Sequence, residues 1–138
     1  MVPDFIPLYS VVIVLFALIY FSFASIPFLF VRLDVPEVAR LFRGLFNAYF
    51  WMVTVTGVVA TVAFAASGRM PFMIGMLLLA VCAFVARSRI LQHIDAQQDA
   101  CRAGDDMAPW RLRMLHWGSM AANILVVASI ASTLPRIL

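Results

Sequence analysis

The sequence has two histidines, His93 and His116, and these are its first candidates for chemistry. If a helical hairpin turns at Gly104-Asp105, residues whose numbers sum to about 209 face each other across an antiparallel pair. His93 then lies level with His116, and two facing imidazoles could hold a haem iron or another metal axially. The same register sets Asp95 near Arg113 and Asp99 near Arg111, as two ion pairs. Cys101 lies about two turns from His93 and does not join them easily. The competing account makes His116 an interfacial hydrogen-bonding residue and His93 a solvated one.

Other groupings are weaker. Met70, Met73 and Met76 recur every three residues, and thioethers are soft ligands for Cu(I), but methionine is also ordinary filler of apolar helices. Asp105 and Asp106 read as helix caps. No nucleophile stands with a base, and there is no phosphate-binding glycine loop or paired-carboxylate site. A polar stripe runs through one apolar segment at Asn47, Thr54 and Thr61, spaced by seven, with Gly57 beside it. A second segment carries His116, Ser119, Met120 and Asn123, with Gly118 and Ala122 alongside. In lipid such residues most often join helices: small ones permit close approach and polar ones hydrogen-bond across the bundle.

The elements that must position these residues are apolar. Of 138 residues, 64% are hydrophobic and 12% charged, against about 45–50% and about 25% in soluble domains. The mean hydropathy of +1.00 agrees. A chain this short cannot hide that surplus in a core, so lipid is the solvent that fits it. Four stretches could each cross about 30 Å of hydrocarbon as helices: residues 5–31, 46–67, 71–86 and 115–134. They are helices because backbone groups in lipid must be satisfied within the segment, and they lack the alternation of a barrel. The stretch from Asp34 to Glu37 reads as a helix start, with Asp34 or Val35 at the cap and Pro36 in the first turn. Pro27 should kink the first span, with Ser22 or Ser25 re-satisfying the freed carbonyls. Residues 87–114 continue as a helical hairpin, with Gly104 at a left-handed helix stop. Phe46, Tyr49, Phe50, Trp51, Trp110 and Trp117 fall near span ends, where amphipathic rings anchor helices. Cys82 reads as a small buried hydrophobe.

Orientation follows from the arginines, since the chain has no lysine. Arg32, Arg40, Arg43, Arg87, Arg89, Arg102, Arg111 and Arg113 fall in the first and third connections, and only Arg69 and Arg136 in the second connection and the C-terminal end. By the positive-inside rule the first and third connections are cytoplasmic. The expectation is an all-α integral membrane four-helix bundle of one domain, N-out/C-out, with helices 3 and 4 extended into a cytoplasmic hairpin. No Asp, Glu, Arg or His lies mid-span, which argues against a proton pump, an ion-coupled transporter or a charged-substrate channel.

The segment from Asp99 to Asp105, the run from Arg111 to Met120 and then Asn123 resemble small bacterial four-helix membrane proteins of a domain-of-unknown-function family. That group is similar to the human transmembrane protein 205 type and, more distantly, to anthrone-oxygenase-like membrane proteins. The stretch Ala39-Arg40-Leu41-Phe42 to Tyr49-Phe50 is similar too. The resemblance implies topology and a bacterial cytoplasmic (inner) membrane, and the Arg113, His116, Ser119 and Asn123 pattern is what it carries over. It implies no activity. The expected function is a non-catalytic accessory or assembly subunit packing against a larger membrane complex, with lipids and other membrane subunits as partners and no nucleic acid. No cofactor is predicted. The alternatives are a haem- or metal-binding redox module using His93 and His116, and a small-molecule transporter.

Overall fold

The four apolar stretches become four helices, each long and apolar enough to cross a membrane. The computed structural model describes residues 5–33 and 35–137. α1 covers Phe5–Ser25, α2 Pro36–Ala66, α3 Met70–Arg102 and α4 Ala108–Ala131, with a short α5 at Leu134–Ile137. The protein is thus an all-α, multi-pass membrane protein. At about 1.5 Å per residue, α2 and α3 are about 47 and 50 Å long, well beyond about 30 Å of hydrocarbon. α2 packs most extensively on α3 and next on α1, while α4 packs on α1 and more sparsely on α3. Short connections make chain neighbours antiparallel, so the bundle runs up-down-up-down.

The helix ends follow local chemistry. Gly68 and Gly104 take φ of 74° and 89°, a region that costs other L-residues energy. Each closes a paired-bond cap. The Gly68 and Arg69 amides donate to Ala65 and Phe64, and the Gly104 and Asp105 amides donate to Cys101 and Ala100. Val35 stands at the cap of α2 with Pro36 just inside, as expected, while Asp34 lies outside the described residues. Prolines end helices sooner than the sequence implied. Pro27 has no N–H to continue α1, and Ile26–Leu29 tightens into a 3-10 turn where a kink was expected. Pro135 likewise cannot bond Ala131, and α4 stops there, short of the expected Leu134. Asp105 and Asp106 do not occupy the cap of α4; Met107 does, and the Asp105 carboxylate accepts its N–H at 3.0 Å, a side-chain turn that closes before the helix.

Packing between helices is tight where side chains are small. A Cβ added to Gly57 would sit 3.1 Å from the Ala80 Cβ, so α2 and α3 approach almost backbone to backbone. Above this contact, toward the arginine-rich end, the interior is aromatic: Phe21, Phe42 and Phe46 are fully buried, with Phe50 beside them. Phe46, Tyr49 and Phe50 were expected as interfacial anchors and lie inside the bundle instead, Phe46 and Tyr49 against Phe21 of α1 and Phe50 on the side toward α3 and α4, because the long α2 helix carries them below the membrane edge. Trp51, Trp110 and Trp117 remain exposed. Cys82 is also exposed, against expectation, because α3 and α4 part beside it.

Candidate functional site

Polar side chains inside an apolar bundle must find partners, so the pattern of partners locates the sites. The most connected is Asn123 on α4, which is 2% exposed. Its Nδ2 donates to the Leu18 carbonyl at 2.9 Å and to the Ser22 hydroxyl at 2.8 Å, both on α1. Its Oδ1 accepts the Tyr49 hydroxyl of α2 at 2.8 Å. One amide therefore joins three helices with both amide hydrogens used. Ser22 serves this node and not the carbonyls near Pro27, while the Ser25 hydroxyl is buried without a partner among the described residues.

The expected stripe on α2 divides. Thr54 and Thr61 donate to the Phe50 and Gly57 carbonyls of their own helix, at 2.7 and 2.8 Å, and so join nothing. Asn47 does cross: its Oδ1 accepts Arg87 Nε of α3 at 2.9 Å, and the Arg87 guanidinium lies 4.8 Å from the centre of the Trp51 ring. Ser119 lines a partly open cavity between α2, α3 and α4.

The two histidines do not meet. His116 is fully buried, its ring edge-on to Phe42 at 5.4 Å, Phe28 at 6.4 Å and Phe46 at 6.5 Å. Both of its nitrogens lack partners among the described residues. His93 is exposed. The expected register between α3 and α4 nearly holds, since Arg111 reaches Gln97 at 3.0 Å. His116, however, points inward to α1 and α2, and His93 outward, so the axial pair is not formed. Among the described residues, no three His, Cys, Asp or Glu side chains are grouped to hold a metal ion.

The expected ion pairs are also replaced. Asp95 accepts two bonds from Arg43 of α2, at 2.7 and 3.3 Å, in place of Arg113. Asp99 pairs with Arg102 on its own helix at 3.2 Å, and Arg111 with Asp105 at 2.9 Å. The reason is α2, which runs beside the far end of α3; Gln98 also donates to the Ala39 carbonyl at 2.9 Å. Arg113 instead turns to α1's end, bonding the Phe28 carbonyl and, at 2.6 Å, that of Val31, acceptors with no helical donor of their own. The Asp105 carboxyl is held below the usual carboxylate range, first by the Met107 N–H and then by Arg111.

Two cavities complete the picture. A cleft of about 680 Å³ opens between the Met70 end of α3 and the Ala131 end of α4. A cavity of about 280 Å³ lies deeper, reaching Tyr49 and Asn123, and shares Leu79, Cys82 and Val126 with the cleft. The sequence signalled Asn123 but not Tyr49, its partner 74 positions away, because no local pattern encodes a contact of that separation. The cleft carries no signal either, being an absence of packing.

A family model described as a domain of unknown function, DUF4149, matches residues 10–100. The match takes in most of α1, all of α2 and nearly all of α3. No curated protein and no solved structure matches the chain.

Proposed function

The chain belongs to the DUF4149 family, and from that premise we propose that it is an accessory or assembly subunit that packs against a larger complex in the bacterial inner membrane. The observation that carries this reading is a small-residue patch that the bundle itself leaves unused. Gly57 meets Ala80 within the bundle, but at Gly118 on α4, with Ala122 one turn along, an added Cβ would meet nothing within 4 Å among the described residues. Gly118, Ala121 and Ala122 are exposed beside Trp117, and such spacing lets another helix approach closely. Little of the apolar stretches of α3 and α4 is covered, 17% against 33% for α1 and α2. The arginine distribution supports both termini lying on the non-cytoplasmic side, with the Arg111–Arg113 end of the bundle in the cytoplasm. A wider kinship with the transmembrane protein 205 type belongs to the same proposal and supplies no residue role.

The experiment is purification from native membranes in mild detergent, with co-migrating proteins identified by mass spectrometry, for the wild type and Gly118→Leu. Stoichiometric recovery with a larger complex, lost in Gly118→Leu while the bundle keeps its helical content, is the expected result. Recovery alone, or equal recovery of partners with the variant, overturns the proposal.

A further inference from the structure

We propose that the cleft between α3 and α4 binds one anionic phospholipid, with an acyl chain between the helices and its phosphate on Arg136. This goes beyond the subunit reading and does not depend on it, because Gly118 does not line the cleft, whose α4 wall begins at Leu125.

The cleft cannot stand empty in a bilayer. Its volume of about 680 Å³ is in the range of ligand cavities, roughly 300–1,000 Å³. Its walls are apolar, formed by Phe72, Leu78, Leu79, Leu125 and Val126. Such a space does not hold water, and unfilled walls forfeit dispersion contacts. An apolar chain entering sideways from the bilayer satisfies both conditions, and the deeper cavity continues the path for its end.

The mouth specifies the head. Arg136 lines it, and its guanidinium is exposed with no side-chain partner among the described residues. Its neighbour Arg69 differs, since it donates to the Ile137 carbonyl at 3.0 Å and so ties α5 to the α2–α3 turn. Thr133 and Ser129 also line the cleft, and no carboxylate among the described residues does. Both hydroxyls spend their hydrogens on the Ile130 and Leu125 carbonyls, which leaves the guanidinium as the donor for an incoming oxyanion. Guanidinium binds phosphate through two parallel N–H bonds, and basic pockets between membrane helices select anionic head groups. An apolar slot with a cation at its rim therefore complements a lipid with net negative charge, more than a zwitterionic one whose own cation competes.

The test is native mass spectrometry of the full chain released from bilayers of equal phosphatidylglycerol and phosphatidylcholine. The wild type should retain one phosphatidylglycerol in preference to phosphatidylcholine. Arg136→Gln should lower that preference about tenfold, as the loss of a charge-assisted hydrogen bond implies. Gly75→Phe, whose ring would enter open space at the cleft wall, should lose both lipids while retaining helical content by circular dichroism. A wild type that retains no lipid, or no preference, overturns the proposal, and so does an unchanged preference in Arg136→Gln. If Gly75→Phe folds and still retains phosphatidylglycerol, the lipid sits elsewhere and the site is refuted.

Discussion

Individual polar residues in this bundle differ sharply in what they contribute, and the difference lies in whose carbonyl they meet. Asn123 holds α1 and α2 onto α4, so Asn123→Leu strands the Tyr49 hydroxyl in an apolar layer and removes two bonds to α1. Such a change should cost about 1–3 kcal/mol, measured as a lower midpoint on unfolding from mild detergent into denaturing detergent. Thr61→Val is the contrast: its hydroxyl bonds only its own helix, so the midpoint should move by less than about 0.5 kcal/mol. His116 gives a third outcome. Its imidazole is enclosed by phenylalanines with neither nitrogen bonded among the described residues, so burying it costs free energy with no return. His116→Leu should therefore leave the midpoint equal or raise it by about 1 kcal/mol. A loss of stability in that variant would show that the imidazole has a bonding partner. The sequence marked Asn123 and His116 as chemically interesting, and the structure separates them. A side chain's type states what it can bond, but its partners lie on helices more than seventy positions away.

At the scale of elements, the sequence was most readable where backbone geometry restricts the residue. Gly104 was legible as a helix stop because few residues other than glycine take φ near 89°. Gly104→Ala should cost about 1–2 kcal/mol through backbone strain alone, since nothing lies near its added Cβ. Gly57→Val acts differently. It would push against Ala80 at the tightest approach of α2 and α3, and should destabilise by a similar or larger amount through helix separation. Asp105 was legible as a turn residue but not as the Met107 acceptor, because a loop's dihedrals decide which amide its carboxylate meets. That hydrogen bond is pH-dependent. The folded turn lowers the Asp105 pKa, so it favours the ionised form. Its contribution is complete above the ordinary carboxylate range near pH 4 and is lost as pH falls through the folded value. The protection of the Met107 amide, taken relative to its intrinsic exchange rate at each pH, should fall on acidification below that range, and Asp105→Asn should abolish that fall.

For the whole molecule, apolar stretch lengths gave four helices, and short turns gave their antiparallel sequence, since both depend on local chemistry. The ion pairs failed because they depend on which helix lies beside which. The near-correct register of α3 on α4 was read without knowing that α2 accompanies α3 to its end and supplies Arg43 to Asp95. Orientation is the remaining molecular property, and it can be argued from the same arginines. The structure collects Arg69 and Arg136 at one end, through the Arg69 bond to the Ile137 carbonyl, and the arginines of the first and third connections at the other. This is the division the positive-inside rule needs: the charges sort by end of the bundle, not only by position in the chain. If that rule governs insertion, the α4–α5 turn at Ser132 faces away from the cytoplasm, and the α3–α4 turn at Asp106 faces into it. Both residues are exposed. In a background where Cys82 and Cys101 are replaced by serine, Ser132→Cys should react with a membrane-impermeant maleimide in intact cells. Asp106→Cys should react only after the cells are opened. The reverse pattern would show an inverted bundle, placing Arg136 and its lipid cleft in the cytoplasmic leaflet, where anionic lipid and the guanidinium would still meet.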